Sequence, residues 1–593
     1  MNDLALSLTK INRSVQLRYF TLCCLFIFAI FPDTSWSQEK KEIVYRASAS
    51  DLEVLNQYSL PQFSFDSVFS SQFFDDVINV LQRDGYLLAG VDSVRAKNKS
   101  IIAYMSVGAK FTWATLKPGN IDEAILNSIG FKERFYKNKP FKYEEVTKLL
   151  DRIIEYSENN GFPFASVKFD SISIEDRHVK ASINYQSGPF ITFDTVELEG
   201  NSKTKALFLS NYLRIKPGFP YEEKKVGQAT ARLKRLPYIK ISEAPYVSFQ
   251  LKQGTPHIHL TDVKANQVDG IIGLLPNEGN GGKPLITGQF DLLLQNMFGS
   301  GKAVSLNWQR TQINSQNLDV RYSHPNLLKS PINVEAGFSL LKEDTLFINR
   351  NLSLSLSMLA GKHSNISVFT DIKVARTIAD TGLEIPSVGE SRYADFNLNQ
   401  YGIGYDYSNI NNPLIPTKGL NFDIKAAVGN KKFPEGKGSP MDSLNLSYVQ
   451  YNLEARADYY FPVSKRFVIK SRFLAGSIIS DQLFYNDLYR IGGLKTIRGF
   501  VENEFFVSDF AIGTVEGQYY LDNESYMFLF YDQGYIYTNI NQKIEEFPAG
   551  LGAGLTFTTN AGAFSFVYAL GRTSVQAFNV NFSKIHFGYI TRF

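Results

Sequence analysis

From about residue 265 onward the chain is written in runs of about ten residues whose polarity alternates, and this pattern narrows the available folds more than any other feature. "GLNFDIKAAVG", "FVIKSRFLAGSI", "SYMFLFYDQGYIYTN" and "GAFSFVYALGR" each place every second side chain on one strand face, with aromatic residues gathered near their ends. A strand that crosses a bilayer takes about 9–11 residues, one face meeting lipid and the other a polar lumen. A soluble β-sandwich alternates in the same way, but its strands average about five to six residues. Such runs begin near residues 266, 287, 302, 316, 331, 346, 366, 394, 419, 446, 466, 509, 525, 549, 561 and 582, which makes sixteen. Single-chain bacterial barrels favour an even number. "FGSGK", "FPVSKR", "LDNES" and "TNAG" are tight connections, whereas those near 378–392, 429–443 and 479–508 are long. Short turns inside and long loops outside place both barrel ends in the periplasm.

The first 37 residues read differently. Lys10, Arg13 and Arg18 precede the apolar run "YFTLCCLFIFAIF" and a polar stretch ending near Ser37, which resembles a cleaved secretory signal peptide. An uncleaved anchor helix is the alternative, although the run is short for spanning a bilayer. Both cysteines, Cys23 and Cys24, fall in this segment, so the chain beyond it has neither disulfide nor thiolate chemistry. No later stretch is long and apolar enough for a membrane helix.

Between these regions a weak repeat recurs at a spacing of 76 residues: "GYLLAGV" from Gly85, "GFPFASV" from Gly161 and "PYIKISE" from Pro237. Each copy follows a helical pattern, such as Val146, Leu149, Leu150, Ile153 and Ile154, and an alternating hairpin comes next. The spacing predicts three modules of two helices and a short sheet, over 38–112, 113–190 and 191–264, ahead of a barrel over 265–593.

The third copy, "SGPFITFDTVELEGNSKTKALFLSNYLRIKPGFPYEEKKVGQATARLKRLPYIK", resembles the polypeptide-transport-associated (POTRA) domain, whose family role is to bind unfolded chains or partner proteins in the periplasm. "GGLKTIRGF", with Ile497, Arg498, Gly499 and Phe500, resembles the loop-six motif of the BamA/TamA superfamily, in which an arginine on an inturned loop meets acidic residues of the inner wall. The resemblance assigns those partners to Glu516 in "TVEGQYY" and Asp532 in "FYDQG", on the twelfth and thirteenth strands. "NNPLIPTKG", residues 411–419, is similar to a further motif of the superfamily. The terminal "HFGYITRF", with Phe587, Tyr589 and Phe593 on one face, is similar to an outer-membrane barrel recognition signal. The fold class expected is therefore α+β periplasmic POTRA-like repeats followed by a 16-stranded antiparallel transmembrane β-barrel. Three modules place the layout nearer TamA than BamA.

The resemblance implies an outer-membrane protein, its N-terminal modules in the periplasm, that assists insertion or translocation of unfolded outer-membrane or secreted clients. Periplasmic or inner-membrane proteins are candidate partners through the modules, and outer-membrane lipid surrounds the barrel. The lateral seam between first and last strands would involve Gly270 and Gly273, which weaken strand pairing, with Gly588 and Phe593 on the closing strand. The other reading is a two-partner secretion transporter similar to FhaC, which exports one dedicated passenger and carries an N-terminal plug helix; residues 40–60 suit such a helix poorly.

Other chemistry finds little support. Net charge is only +4 without a clustered basic stripe, which argues against nucleic acid as a partner. His257 and His259 share a strand face but lack a third ligand, and "NEGNGGKP" lacks the spacing of a phosphate-binding loop, so no metal or cofactor is expected. Glu516 and Asp532 resemble a paired-carboxylate hydrolase site only until the neighbouring arginine is counted; no enzyme activity is expected.

Overall fold

The structure, a computed structural model, describes residues 41–60, 63–64, 71–97, 100–275, 285–310, 315–378, 393–434, 447–540, 542–559 and 562–592. The leader and Phe593 lie outside them, as does the whole of "NEGNGGKP".

Three α/β modules precede the barrel. In the first, Lys41–Arg46 runs parallel to Ser100–Ser106, with Gly90–Lys97 and Phe63–Ser64 outside them, and helices Ala49–Leu55 and Ser71–Arg83 complete a core around Leu81, Val77 and Ala103. The second joins Thr112–Lys117, His178–Gln186 and Ser166–Glu175 into a sheet, with helices Glu123–Ile129 and Tyr143–Glu158. Trp113 fills its centre, its ring 5.0 Å from that of Phe141. In the third, Gln253–Asp262 is central and pairs antiparallel with Tyr246–Gln250 and Ile239–Ile241, and parallel with Thr192–Phe193 and Glu197–Gly200. Helices α1 (Ala206–Leu213) and α2 (Glu223–Leu233) bury Leu209, Leu213 and Leu233 against it. Residues 157–164 and 187–593, which include the third module and the barrel, form one compact unit; the rest of the first two modules forms another.

Sixteen antiparallel strands make the barrel: β1 (Gln267–Leu275), β2 (Leu285–Met297), β3 (Lys302–Arg310), β4 (Gln316–His324), β5 (Ile332–Glu343), β6 (Phe347–Leu359), β7 (Ser364–Thr377), β8 (Phe396–Ser408), β9 (Gly419–Lys432), β10 (Ser447–Pro462), β11 (Phe467–Ile479), β12 (Asp509–Tyr520), β13 (Tyr526–Ile540), β14 (Gln542–Glu546 continued by Ala549–Thr559), β15 (Gly562–Arg572) and β16 (Lys584–Arg592). β6 shows why the sequence reads this way: Leu352, Leu354, Leu356 and Met358 are exposed on the outer face, alternating with serines and asparagines. Backbone groups in lipid must be paired internally, and a closed ladder does this.

Two details depart from the sequence reading. β9 runs to Lys432, so the long connection there starts after 429. β14 starts at Gln542 and breaks at Phe547–Pro548. Proline has no N–H for the ladder, but its carbonyl accepts from the Gly534 N–H at 2.7 Å, and the register with β13 is the same on both sides of the break.

The ladder is uneven where it closes. β1 pairs with β2 from Gln267–Leu293 to Leu275–Leu285, and β16 pairs with β15 from Lys584–Ala569 to Ile590–Ala563. Among the described residues β1 and β16 meet in two pairs, Gln267 with Arg592 and Val268 with Thr591.

Candidate functional site: a strap inside the barrel

The connection between β11 and β12, residues 480–508, folds as a strap against the inner wall. Its stem is a small antiparallel ladder in which Tyr489, Arg490 and Ile491 face Val507, Phe506 and Phe505. Within the tip the Thr496 hydroxyl accepts from the Gly492 N–H at 2.8 Å, and the Leu494 N–H donates to Glu502 at 2.8 Å. Ile497, Phe500 and Ile491 are buried with Ile512 of β12 and Ile536 of β13. The apolar content that distinguishes this segment from a solvent loop is thus spent on packing against the wall.

At the tip, Arg498 meets both acidic residues. Its Nε and Nη2 donate to the two oxygens of Asp532 at 2.8 and 2.7 Å, and Nη1 donates to Glu516 at 2.8 Å. The Arg498 backbone N–H also donates to Asp532, at 3.0 Å. The guanidinium lies over Phe530, 3.5 Å from the ring centre, a cation–π placement that covers its open face. Thr514 donates to Asp532 and Gln518 to Glu516, and Lys470 stands 3.8 Å from Glu516. Two cations thus balance two carboxylates; Arg498, Glu516 and Asp532 are nearly or fully buried, and directed bonds of this kind are strong away from water.

Close approach makes this geometry available. Gly499 has φ of 91°, and a Cβ there would come within 2.5 Å of the Leu570 backbone and 2.6 Å of the Gly571 nitrogen. Opposite, a Cβ on Gly550 would strike the Arg498 carbonyl. Glycine on both surfaces lets strap and wall lie backbone to backbone.

A second clasp, absent from the sequence reading, holds the root of the strap to the other side of the wall. Lys431 of β9 donates to Asp487 at 2.8 Å and to the Gln482 carbonyl at 3.1 Å, and neither charged side chain has any exposed surface. The Asn486 carbonyl accepts from Lys373 of β7 and Asn349 of β6, each at 2.9 Å. Arg490 donates to Glu343 of β5 at 2.6 Å and lies 4.7 Å from the centre of the Phe506 ring. Residues 486–490 are therefore fixed to β5–β9, and residues 497–500 to β12–β15.

The remaining sequence-level candidates lie apart from the strap. Gly270 pairs with Phe290, Gly273 with Thr287 and Gly588 with Ser565, so each sits in the strand ladder beside the seam without pairing across it. Extending the two closing pairs, position 270 would face Tyr589, and 588 would face Ile271; neither pair forms. The 411–419 turn is folded around Asn411, whose side-chain oxygen accepts from the Thr417 and Lys418 N–H groups at 3.0 Å. It rims a cavity of about 680 Å³ with α2, Asp406 and Arg456. In the third module His257 Nδ1 lies 3.1 Å from Glu199. Among the described residues no set of three or more His, Cys, Asp or Glu side chains is grouped to hold a metal, and no helix is long and apolar enough to cross a membrane.

Comparison with known proteins adds the family context. The family model described as the Omp85 superfamily domain matches residues 296–593. Of solved structures, CdiB from Acinetobacter baumannii and CdiB from Escherichia coli each align over 88% of this chain and 97% of their own, at 13% identity and a TM-score of 0.53. BamA from Haemophilus ducreyi lacking POTRA domains 1–3 aligns over 81% of this chain and 99% of its own, at 15% identity and a TM-score of 0.40. No curated protein matches the chain. At these identities the CdiB alignments speak for the fold; nearness to TamA in particular is not among what they carry.

Proposed function

Since the chain belongs to the Omp85 superfamily, we propose that it inserts β-barrel client proteins into the outer membrane at the seam between β1 and β16. A general role in insertion or translocation at the outer membrane goes with the superfamily, as does the barrel's place in that membrane with the modules on its periplasmic side.

The observation that carries the finer reading is the two-pair closure. Beyond Val268 the strand β1 is bonded, among the described residues, to β2 only, so the N–H and C=O groups on its other side form an open edge. An open edge templates an incoming strand by backbone hydrogen bonds without reading its side chains, which suits a factor with many clients. Gly270 and Gly273 lower the energy of separating β1 from a neighbour. The three modules, read as POTRA-like, would hold unfolded clients below the seam and give periplasmic or inner-membrane partners a surface. Arg498, Ile497, Gly499 and Phe500 with Glu516 and Asp532 act in this reading as the latch that keeps the β12–β15 wall rigid while the seam opens.

Export of one dedicated passenger through the lumen is the alternative. A passenger would share the lumen with a strap that two buried, charge-paired clasps hold in place, and this weighs toward the seam. Oxidising a Val268→Cys/Thr591→Cys pair should halt insertion of client barrels in proteoliposomes, with recovery on reduction; undiminished insertion by the cross-linked protein defeats the proposal. Depletion in cells separates the two readings: assembly predicts loss of many outer-membrane barrels, export the loss of a single secreted protein.

A further inference from the structure

The turn Asn296–Gly301 between β2 and β3, the turn Pro325–Ser330 between β4 and β5, and the start of α1 are bonded into one ledge. The Lys205 N–H donates to the Gly299 carbonyl at 2.8 Å, Asn296 donates to Thr204 at 2.9 Å, and Asn326 donates to the Phe208 carbonyl at 3.4 Å. Each of these three segments also exposes one large apolar side chain: Phe298 at 78%, Leu328 at 90% and Leu207 at 61%.

Two of these residues hold an unfavourable backbone. Phe298 has φ of 56° and Leu328 of 53°, a left-handed conformation that bulky residues seldom take. Glycine would relieve the strain and asparagine would lessen both strain and exposure, yet these turns spend their conformational freedom presenting a ring and an isobutyl group. Strain of this kind at a bulky exposed residue points to a use for the side chain. The apolar surface does not stop at the ledge. Ile332, two residues past the second turn, and Tyr322 on β4 are exposed as well, so the ledge continues the barrel's lipid-facing band downward onto the third module. Around it Lys203, Lys205 and Lys329 are exposed, and none of the three is in an ion pair among the described residues. Asp262, beside Lys203, accepts from Ser202 Oγ at 2.6 Å and the Lys203 N–H at 2.9 Å.

We infer that this ledge is a membrane foot: Phe298, Leu328 and Leu207 enter the headgroup region of the periplasmic leaflet, and Lys203, Lys205 and Lys329 bind the phosphates of anionic phospholipids there. Apolar anchors ringed by lysines match an interface where acyl chains begin and negative charge lies just outside them. Its continuity with the lipid-facing band and the sign of its charge favour lipid over a protein occupant. The foot would fix the third module at the membrane surface beside β1, and it stands independently of what the seam does.

The full chain with Cys23→Ser and Cys24→Ser, reconstituted into phosphatidylcholine vesicles with or without phosphatidylglycerol, provides the test. An environment-sensitive fluorophore on Leu207→Cys, Phe298→Cys or Leu328→Cys should shift to the blue. Lipids spin-labelled near the headgroup should quench it roughly threefold more than the same probe at Leu251→Cys, an exposed turn of the same module away from the ledge. Phosphatidylglycerol should strengthen the quenching, and the combined Lys203→Glu, Lys205→Glu and Lys329→Glu variant should lose that dependence. Heat-modifiable migration on gels verifies that every variant is folded. Equal quenching at all four positions, or quenching indifferent to phosphatidylglycerol, overturns the proposal.

Discussion

Arg498 uses its planar guanidinium in a way no other side chain can reproduce, engaging Asp532 through two parallel bonds and Glu516 through a third while Phe530 covers its face. Removing the cation leaves two buried carboxylates facing each other with Lys470 alone to offset them. Arg498→Ala should therefore destabilise the folded barrel by about 3–5 kcal/mol, the range for breaking one side of a buried ion pair. The urea midpoint of the heat-modifiable band reports this; an unchanged midpoint would mean that water already screens the site. Arg498→Lys keeps the charge but loses the fork, and should fall between wild type and alanine. Gly550→Ala tests the wall instead of the strap. Its methyl would collide with the Arg498 carbonyl, and about 1–3 kcal/mol of overpacking is expected, read by the same midpoint.

At the scale of elements, the strap resembles a beam fixed at both ends more than a loop with one pin. Lys431 and Asp487 have no solvent contact, so Asp487→Asn should strand a buried ammonium and loosen residues 482–490, detected as faster cleavage of the strap by added protease. Replacing both with apolar residues, Lys431→Met with Asp487→Leu, should restore most of the protection, because an isosteric apolar pair needs no charge compensation. If the double variant is cleaved as fast as the single one, the clasp contributes geometry and not merely charge balance. The strands themselves were legible because alternation is local: β6 announces its register in "LSLSLSM" without reference to any neighbour. Arg498 was legible through its motif. The Lys431–Asp487 clasp was not, since its partners lie 56 residues apart and each, taken alone, reads as an ordinary charged residue of a strand end or a loop. The break at Pro548 carried a local signal, a proline after a short alternating run, because proline has no N–H for the ladder. The glycines of "AGLGAGL" in β14 likewise hinted at a close backbone approach without naming the strap as its cause.

Across the whole molecule, stabilising contacts are distributed unevenly around the ring. The strands from β5 to β13 are 12–16 residues long, and the strap is clasped to most of them. β1 and β16 have nine residues each and share two pairs. Local opening follows the weakest bonded boundary, so the barrel should fluctuate at this seam before anywhere else. Hydrogen exchange of the full chain in nanodiscs should show the amides of 269–275 and 584–590 exchanging well before those of β12 and β13. Arg498→Ala should narrow that contrast by loosening β12 and β13, and Val268→Cys/Thr591→Cys in its oxidised form should narrow it from the other side by protecting the seam. Uniform protection around the ring in the unmodified protein would mean that the short closure does not translate into motion, and the seam would then lose its claim as the place where client strands enter.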